Sequence, residues 1–384
     1  MAKLRRGKID LRFACAAAGI IGVAALTGCG GSGSSNNFHS TAFYVTNAFS
    51  YTISQFRIQP DGSLTTLAPD VPYTTNPFGI PGSESLVFDP SRKHAYLANL
   101  GASTIDEFNV NPDGTLTQFN TFVMDQGLNS SEPSIVVFAP SGKFAYATSE
   151  SSTNHKLTEF TVGADGSLAL LDTIDTGSDV GHIVVDPQGR YLYVTSFFSE
   201  TVSEYPMHAD GSLGAPINTL PTGPGPFAGT LTPNGHFYYV TNLGTLRPPY
   251  SPAVGTISEY AVMPNGLLTP IGTANAGTGP GFLSTSPDGR FAYVGNLHDT
   301  TVSVYSIGAS GQLTNIQTLN VGNGPVQVAF SPFGGTAYVA VTGADFTAGP
   351  TGSNTIVECH INSDGTLTAF GSVPTGIGPD FMLN

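Results

Sequence analysis

The chain has 384 residues, of which 40% are hydrophobic and only 10% charged, with 47 Gly, 28 Pro and no Trp. Ser, Thr, Asn and Gly stand where a helical protein would carry Glu and Lys, which excludes a bundle of amphipathic helices, and the apolar periodicity excludes a disordered chain. The formal charge of −14 gives a surface that repels nucleic acid at long range, so no nucleic-acid partner is expected.

The first 28 residues read as a signal. Lys3, Arg5, Arg6, Lys8 and Arg12 precede an apolar stretch, Phe13 to Leu26, that is too short to span a bilayer as a stable helix. A basic start, a short apolar core and small residues at its end describe an export signal. The string Leu26-Thr27-Gly28-Cys29 resembles the bacterial lipobox. That resemblance implies cleavage before Cys29 and acylation of its thiol and new amino group. Several acyl chains anchor stably, at about 0.8 kcal/mol per buried CH₂. The expectation is an exported, membrane-anchored lipoprotein of the bacterial cell envelope, attached through Cys29. Residues 29–39 contain GGSGSSNN, a flexible tether whose eight residues span roughly 15 Å. The folded body is then 40–384.

Loss of the signal removes five basic residues and Asp10, leaving 8 basic and 26 acidic groups, a formal −18. Cys15 leaves with it and Cys29 is spent on lipid. Only Cys359 remains, which rules out an intramolecular disulfide and any Cys₄ or Cys₂His₂ zinc site. Neither metal nor cofactor is expected.

From residue 44 onward one element recurs. It reads YVTN at 44–47, YLAN at 96–99, YATS at 146–149, YVTS at 193–196, YVTN at 239–242, YVGN at 293–296 and YVAV at 338–341. The steps between these Tyr residues are 52, 50, 47, 46, 54 and 45. Before each comes a strand ending in a Pro turn, such as SLVFDP (85–90), HIVVDP (182–187) or FLSTSP (282–287). After each comes a strand such as TIDEFNV or TVSEYPM, then an Asp-Gly turn and a fourth strand. Asp-Gly and Asn-Gly supply the positive φ that tight hairpins need. A period near 50 residues with only strand signals predicts an all-β, seven-bladed propeller of four-stranded antiparallel blades. The chain starts on a Tyr strand and stops at GPDFMLN (378–384), a first strand without a successor. The C-terminal strand is therefore expected to join the N-terminal blade and close the ring.

The YVTN strings, the Pro-x-Gly turns and the seven repeats resemble the YVTN-type seven-bladed propellers and the related lactonase family, which includes 6-phosphogluconolactonase. The likeness covers nearly all of residues 40–384. It implies the fold, and it implies lactone hydrolysis only through the site. Members with lactonase activity commonly carry a Pro-His-x-His string at a first strand and several Arg around the channel. Here the column of the second His holds Glu84, Ser134, Gly181, Phe227, Gly281, Val326 and Asp380, and His182 lies one place later. The family's catalytic residues do not carry over by position.

In a ring of near-sevenfold symmetry, what repeats is framework and what breaks the pattern is a candidate for function. Glu107, Glu159, Glu204, Glu259 and Glu358 recur at one strand position and read as framework, as do Asp61, Asp113, Asp165, Asp210 and Asp364 of the Asp-Gly turns. Arg92, Lys93, Lys143, Arg190 and Arg290 all fall at the turn between first and second strands, on one face of the ring. The corners leading into the first strands break the pattern. Four run Gly-Pro, whereas the others bring Glu84, Glu132, Asp179 and His182; Asp380 follows one of the Gly-Pro corners. These are expected at the channel mouth, with Arg247 and Tyr250 reaching over it from the long segment 243–255. Segments 149–156 and 342–354 are further long loops on that rim.

The first reading is a monomeric binding or interaction module of the cell envelope, taking a small molecule or an envelope protein at the channel mouth, with Glu84, Glu132, Asp380 and Tyr250 as ligand contacts. The alternative is a lactone hydrolase resembling 6-phosphogluconolactonase. In it His182, with Asp179, or a channel carboxylate activates water and Arg247 stabilises the oxyanion.

Overall fold

The computed structural model describes residues 41–73, 83–100, 102–124, 133–150, 155–176, 179–244, 254–342 and 354–383, with backbone alone for 83, 84, 149, 150, 380 and 381. The described residues form twenty-eight strands in seven four-stranded sheets and contain no α-helix. All pairings are antiparallel. Blade 1 has the order β28 (Pro379–Leu383), β1 (Ala42–Asn47), β2 (Thr52–Ile58), β3 (Leu64–Pro72). The other six follow chain order from their first strands: β4 (Ser83–Phe88), β8 (Pro133–Phe138), β12 (Ile183–Val185), β16 (Pro226–Leu231), β20 (Pro280–Thr285) and β24 (Pro325–Phe330).

The seven first strands, β28 included, pack neighbour to neighbour around the axis. The ring closes as the sequence predicts: Tyr44 pairs with Leu383, Val45 with Met382 and Asn47 with Pro379. Blade 4 is the least regular. Its first strand is three residues long, shorter than the 182–187 stretch suggested, and its last is Asn218–Pro221. It lacks a Gly-Pro corner, and Pro216, which has no N–H to give a ladder, stands just ahead of its last strand.

The repeated residues lock each blade to the next. The Tyr hydroxyl of every second strand donates to the carbonyl of the turn Gly one blade on, at 2.5–2.9 Å: Tyr44 to Gly114, Tyr96 to Gly166, Tyr146 to Gly211, Tyr193 to Gly266, Tyr239 to Gly311, Tyr293 to Gly365 and, across the seam, Tyr338 to Gly62. These glycines sit at φ of 84–90°, a conformation that costs a Cβ-bearing residue energy. The Tyr rings are buried.

A second set of latches uses the repeated Glu. The Oε1 atoms of Glu107, Glu159, Glu204, Glu259 and Glu358 accept the backbone N–H of Leu168, Leu213, Leu268, Leu313 and Leu64, each in the following blade. Gln55 does the same for Leu116. Blade 6 has Val304 at this position, and Gln317, paired with it on the adjacent strand, accepts from Leu367 instead. Burial pushes the five Glu carboxyls above their ordinary range. The Asp residues of the turns serve locally: Asp61, Asp113, Asp165, Asp210 and Asp364 each accept the N–H and hydroxyl of a Ser or Thr two residues on.

Candidate functional site

The inner ends of the blades define the mouth. In four corners the Gly lies at φ of 60–71° (Gly225, Gly279, Gly324, Gly378) and the Pro opens the strand. Just beyond, the pairing slips. Register shifts fall between Ser83 and Ser85, Pro133 and Val136, Pro226 and Gly229, Pro280 and Leu283, and Pro325 and Val328, and β28 slips against Val45–Asn47. Bulges of this kind re-aim side chains. The slip contains the column Glu84, Ser134, Phe227, Gly281, Val326 and Asp380. Glu84 on β4 and Asp380 on β28 therefore hold equivalent positions on two first strands that are neighbours in the inner ring.

One residue further, the side chains turn toward the next blade and cap the free N–H groups of its inner edge. Ser85 accepts from Val136 N at 3.3 Å, Gln327 Oε1 from Met382 N at 2.8 Å and His182 Nδ1 from Gly229 N at 2.9 Å. His182 is fully buried, and desolvation pulls its pKa from 6.5 to about 3. It is neutral, with Nδ1 as acceptor and the proton on Nε2, an atom that is buried with no hydrogen-bond partner. Its ring lies 6.3 Å from that of Phe282, two blades away, and Phe282 lies 5.5 Å from Phe227. Val180, Phe227, Ala228, Phe282, Val326 and Met382 are buried in one apolar cluster.

Gly229 has a second neighbour. A Cβ there would stand 1.9 Å from the Tyr238 hydroxyl, which is buried between Tyr193 and Tyr260 and has no partner. Tyr238 itself breaks the pattern, since blades 2, 3, 6 and 7 carry Ala95, Ala145, Ala292 and Ala337 at that position.

Asp179 sits at the mouth of blade 4. Its carboxylate accepts from Phe198 N at 2.7 Å and from the Ser199 hydroxyl at 3.3 Å, pinning a turn that holds Phe198 66% exposed on the rim. Glu132, Arg247 and Tyr250 lie outside the described residues, as do Cys29 and the tether. Among the described residues no three His, Cys, Asp or Glu side chains gather as metal ligands would.

The cations sit elsewhere. Arg190 binds Asp186 in two contacts, at 2.8 and 3.0 Å, and Arg290 binds Asp288, all within the turns opposite the mouth. Arg92 stacks 4.4 Å over Phe88. Among the described residues only Lys156 stands at the mouth end of its sheet.

Residues 124–384 match the family described as lactonase, 7-bladed beta-propeller. The chain belongs to that family. It is 24% identical over 206 residues to the 6-phosphogluconolactonase of Pectobacterium carotovorum subsp. carotovorum, covering 54% of this chain and 58% of that protein. It is 27% identical over 144 residues to that of Yersinia pestis, covering 36% and 40%. The matches thus span 58% and 40% of the length of these two curated relatives. The periplasmic gluconolactonase of Pseudomonas aeruginosa has the same fold, with a TM-score of 0.72 at 21% identity over 89% of this chain and 99% of that one. Membership of the family favours the hydrolytic reading over the binding-module reading.

Proposed function

We propose that this lactonase-family propeller hydrolyses a sugar-derived lactone at the channel mouth. One observation carries the reading beyond family membership: two acidic positions, Glu84 and Asp380, stand at equivalent places on neighbouring inner strands. A carboxylate there takes a proton from water as the oxygen attacks the lactone carbonyl, and returns it to the ring oxygen as the acyl–oxygen bond breaks. Arg247, on the long rim segment, stabilises the developing oxyanion, and Glu132 and Tyr250 contact the sugar hydroxyls. Asp179 holds the rim turn. His182, neutral and committed through Nδ1 to Gly229, positions the inner strands of blades 4 and 5 rather than carrying protons.

The cation distribution favours an uncharged lactone over a phosphorylated one, because phosphate recognition calls for clustered Arg or Lys and, among the described residues, all of these but Lys156 lie away from the mouth. The test is acid release by the purified chain from neutral aldonolactones and from a 6-phosphorylated lactone, corrected for spontaneous hydrolysis. Turnover lost in Glu84→Gln or Asp380→Asn, with the fold intact, supports the proposal. Wild-type chain that hydrolyses neither class refutes it.

A further inference from the structure

We propose that the face bearing the turns between first and second strands lies against a lipid bilayer, with Phe333 inserted, so that the channel mouth points away from the membrane. Three observations converge on that face.

The first is where the chain joins the body. Ala42 opens β1 opposite Arg57, at the end of blade 1 that leads into the Pro60–Ser63 turn. The described chain therefore begins at the turn face. The expected anchor, an acylated Cys29, lies upstream of this point. A dozen residues separate Cys29 from the body, and a coil of that length spans roughly 20 Å, too little to favour carrying the body over onto its other face.

The second is a break in the turn pattern. The six first-to-second-strand turns place Ser91, Ser141, Gln188, Asn234, Asp288 and Phe333 at their tips. Phe333 is the one apolar residue among them and is 56% exposed. Gly334 and Gly335 follow at φ of 74 and 73°, and a Cβ added at either would meet nothing within 4 Å, so the turn tip stands clear of the body. The turn adjoins the point where the chain arrives: Thr336, just after it, abuts Gly62 in the blade 1 turn.

The third is charge. These inner turns carry Arg92, Lys93, Lys143, Arg190 and Arg290 against Asp89, Asp186 and Asp288, of which Asp89 and Asp186 are buried. The outer turns of the same face add Asp61, Asp113, Asp165, Asp210 and Asp364, with Arg57 nearby. The face as a whole is close to neutral on a chain that carries −18 from Cys29 onward, so it is the side an anionic bilayer repels least.

The chain has no Trp, so one introduced indole reports alone. The full chain, expressed with its N-terminal segment and reconstituted on phosphatidylglycerol/phosphatidylethanolamine vesicles with brominated acyl chains, is compared as two variants. Phe333→Trp places the probe at the turn tip, and Phe198→Trp places it on the rim. The proposal expects the F333W emission to shift to the blue and lose about half its intensity or more, as for a group buried 5–10 Å into the interface, while F198W emission is unchanged. Zwitterionic vesicles, which do not repel the chain, should give an F333W effect at least as large. Equal quenching of both variants, quenching of F198W alone, or quenching of neither while the protein floats with the vesicles overturns it.

Discussion

Replacing His182 by Gln separates scaffold from chemistry. The buried imidazole has its pKa held at about 3 against an ordinary 6.5. A base with a depressed folded pKa binds its proton more readily when the chain is unfolded. Its contribution is therefore fully favourable above pH 6.5 and is lost as pH falls through the window from 6.5 to 3, at about 1.4 kcal/mol per unit, or on the order of 4–5 kcal/mol across it. Gln already fills this column in blade 7, where Gln327 Oε1 caps Met382 N. Gln at 182 can cap Gly229 N in the same way and does not titrate. Denaturation midpoints followed by circular dichroism between pH 3.5 and 7.5 should coincide within about 1 kcal/mol at neutral pH, and the wild type should fall away faster on acidification. Other titrating groups are common to both proteins and cancel in the difference. Parallel curves would refute the reasoning. Lactone turnover should survive in His182→Gln, and its loss with the fold intact would return His182 to the chemistry.

The latches make further predictions. Glu159 Oε2 is buried without a partner, so Glu159→Gln, which keeps the acceptor for Leu213 N and discards a desolvated charge, should leave Tm unchanged or raised at pH 7; Glu159→Leu orphans that N–H and should cost about 1–3 kcal/mol by urea denaturation. Because burial raises the folded pKa of these carboxyls, their contribution opposes folding as they ionise, so in wild type the latch component weakens as pH rises above 4.5 and is absent from the Gln variant. Tyr338→Phe opens the seam latch to Gly62 and should cost about 1 kcal/mol, read as a lower Tm. Gly229→Ala should misfold or lose several kcal/mol, as expected for a Cβ 1.9 Å from the Tyr238 hydroxyl, and the double variant with Tyr238→Ala should recover most of it.

The fold was legible because each blade announces itself twice, in the Tyr strand and in the Gly turn, which reads Asp-Gly in five of the seven, and because GPDFMLN at the end matched the strand missing at the start. The recurrence of the five Glu was also plain, and with it their structural standing. Their task was not, because each partner is a backbone N–H some 54–64 residues away, or 294 across the seam, and carries no side-chain signal. Gln317 was hidden for the same reason: it replaces a Glu column from the neighbouring strand. At the mouth, the sequence pointed to the column that the bulges carry, but the slip itself depends on the corner geometry. His182 has the Phe282 ring beside it from two blades away, a contact no local pattern encodes.

The central claim, that the repeated residues hold the ring and the departures from the repeat do the chemistry, is tested most directly by measuring kcat on a neutral aldonolactone alongside Tm in two sets of variants. Glu159→Leu and Tyr338→Phe should lower Tm and leave kcat within a few-fold at a temperature where they remain folded, whereas Arg247→Ala, one of Glu84→Gln and Asp380→Asn, and the double variant of the two should leave Tm unchanged and abolish turnover. Latch variants that lose kcat while fully folded, or mouth variants that keep it, would contradict the account.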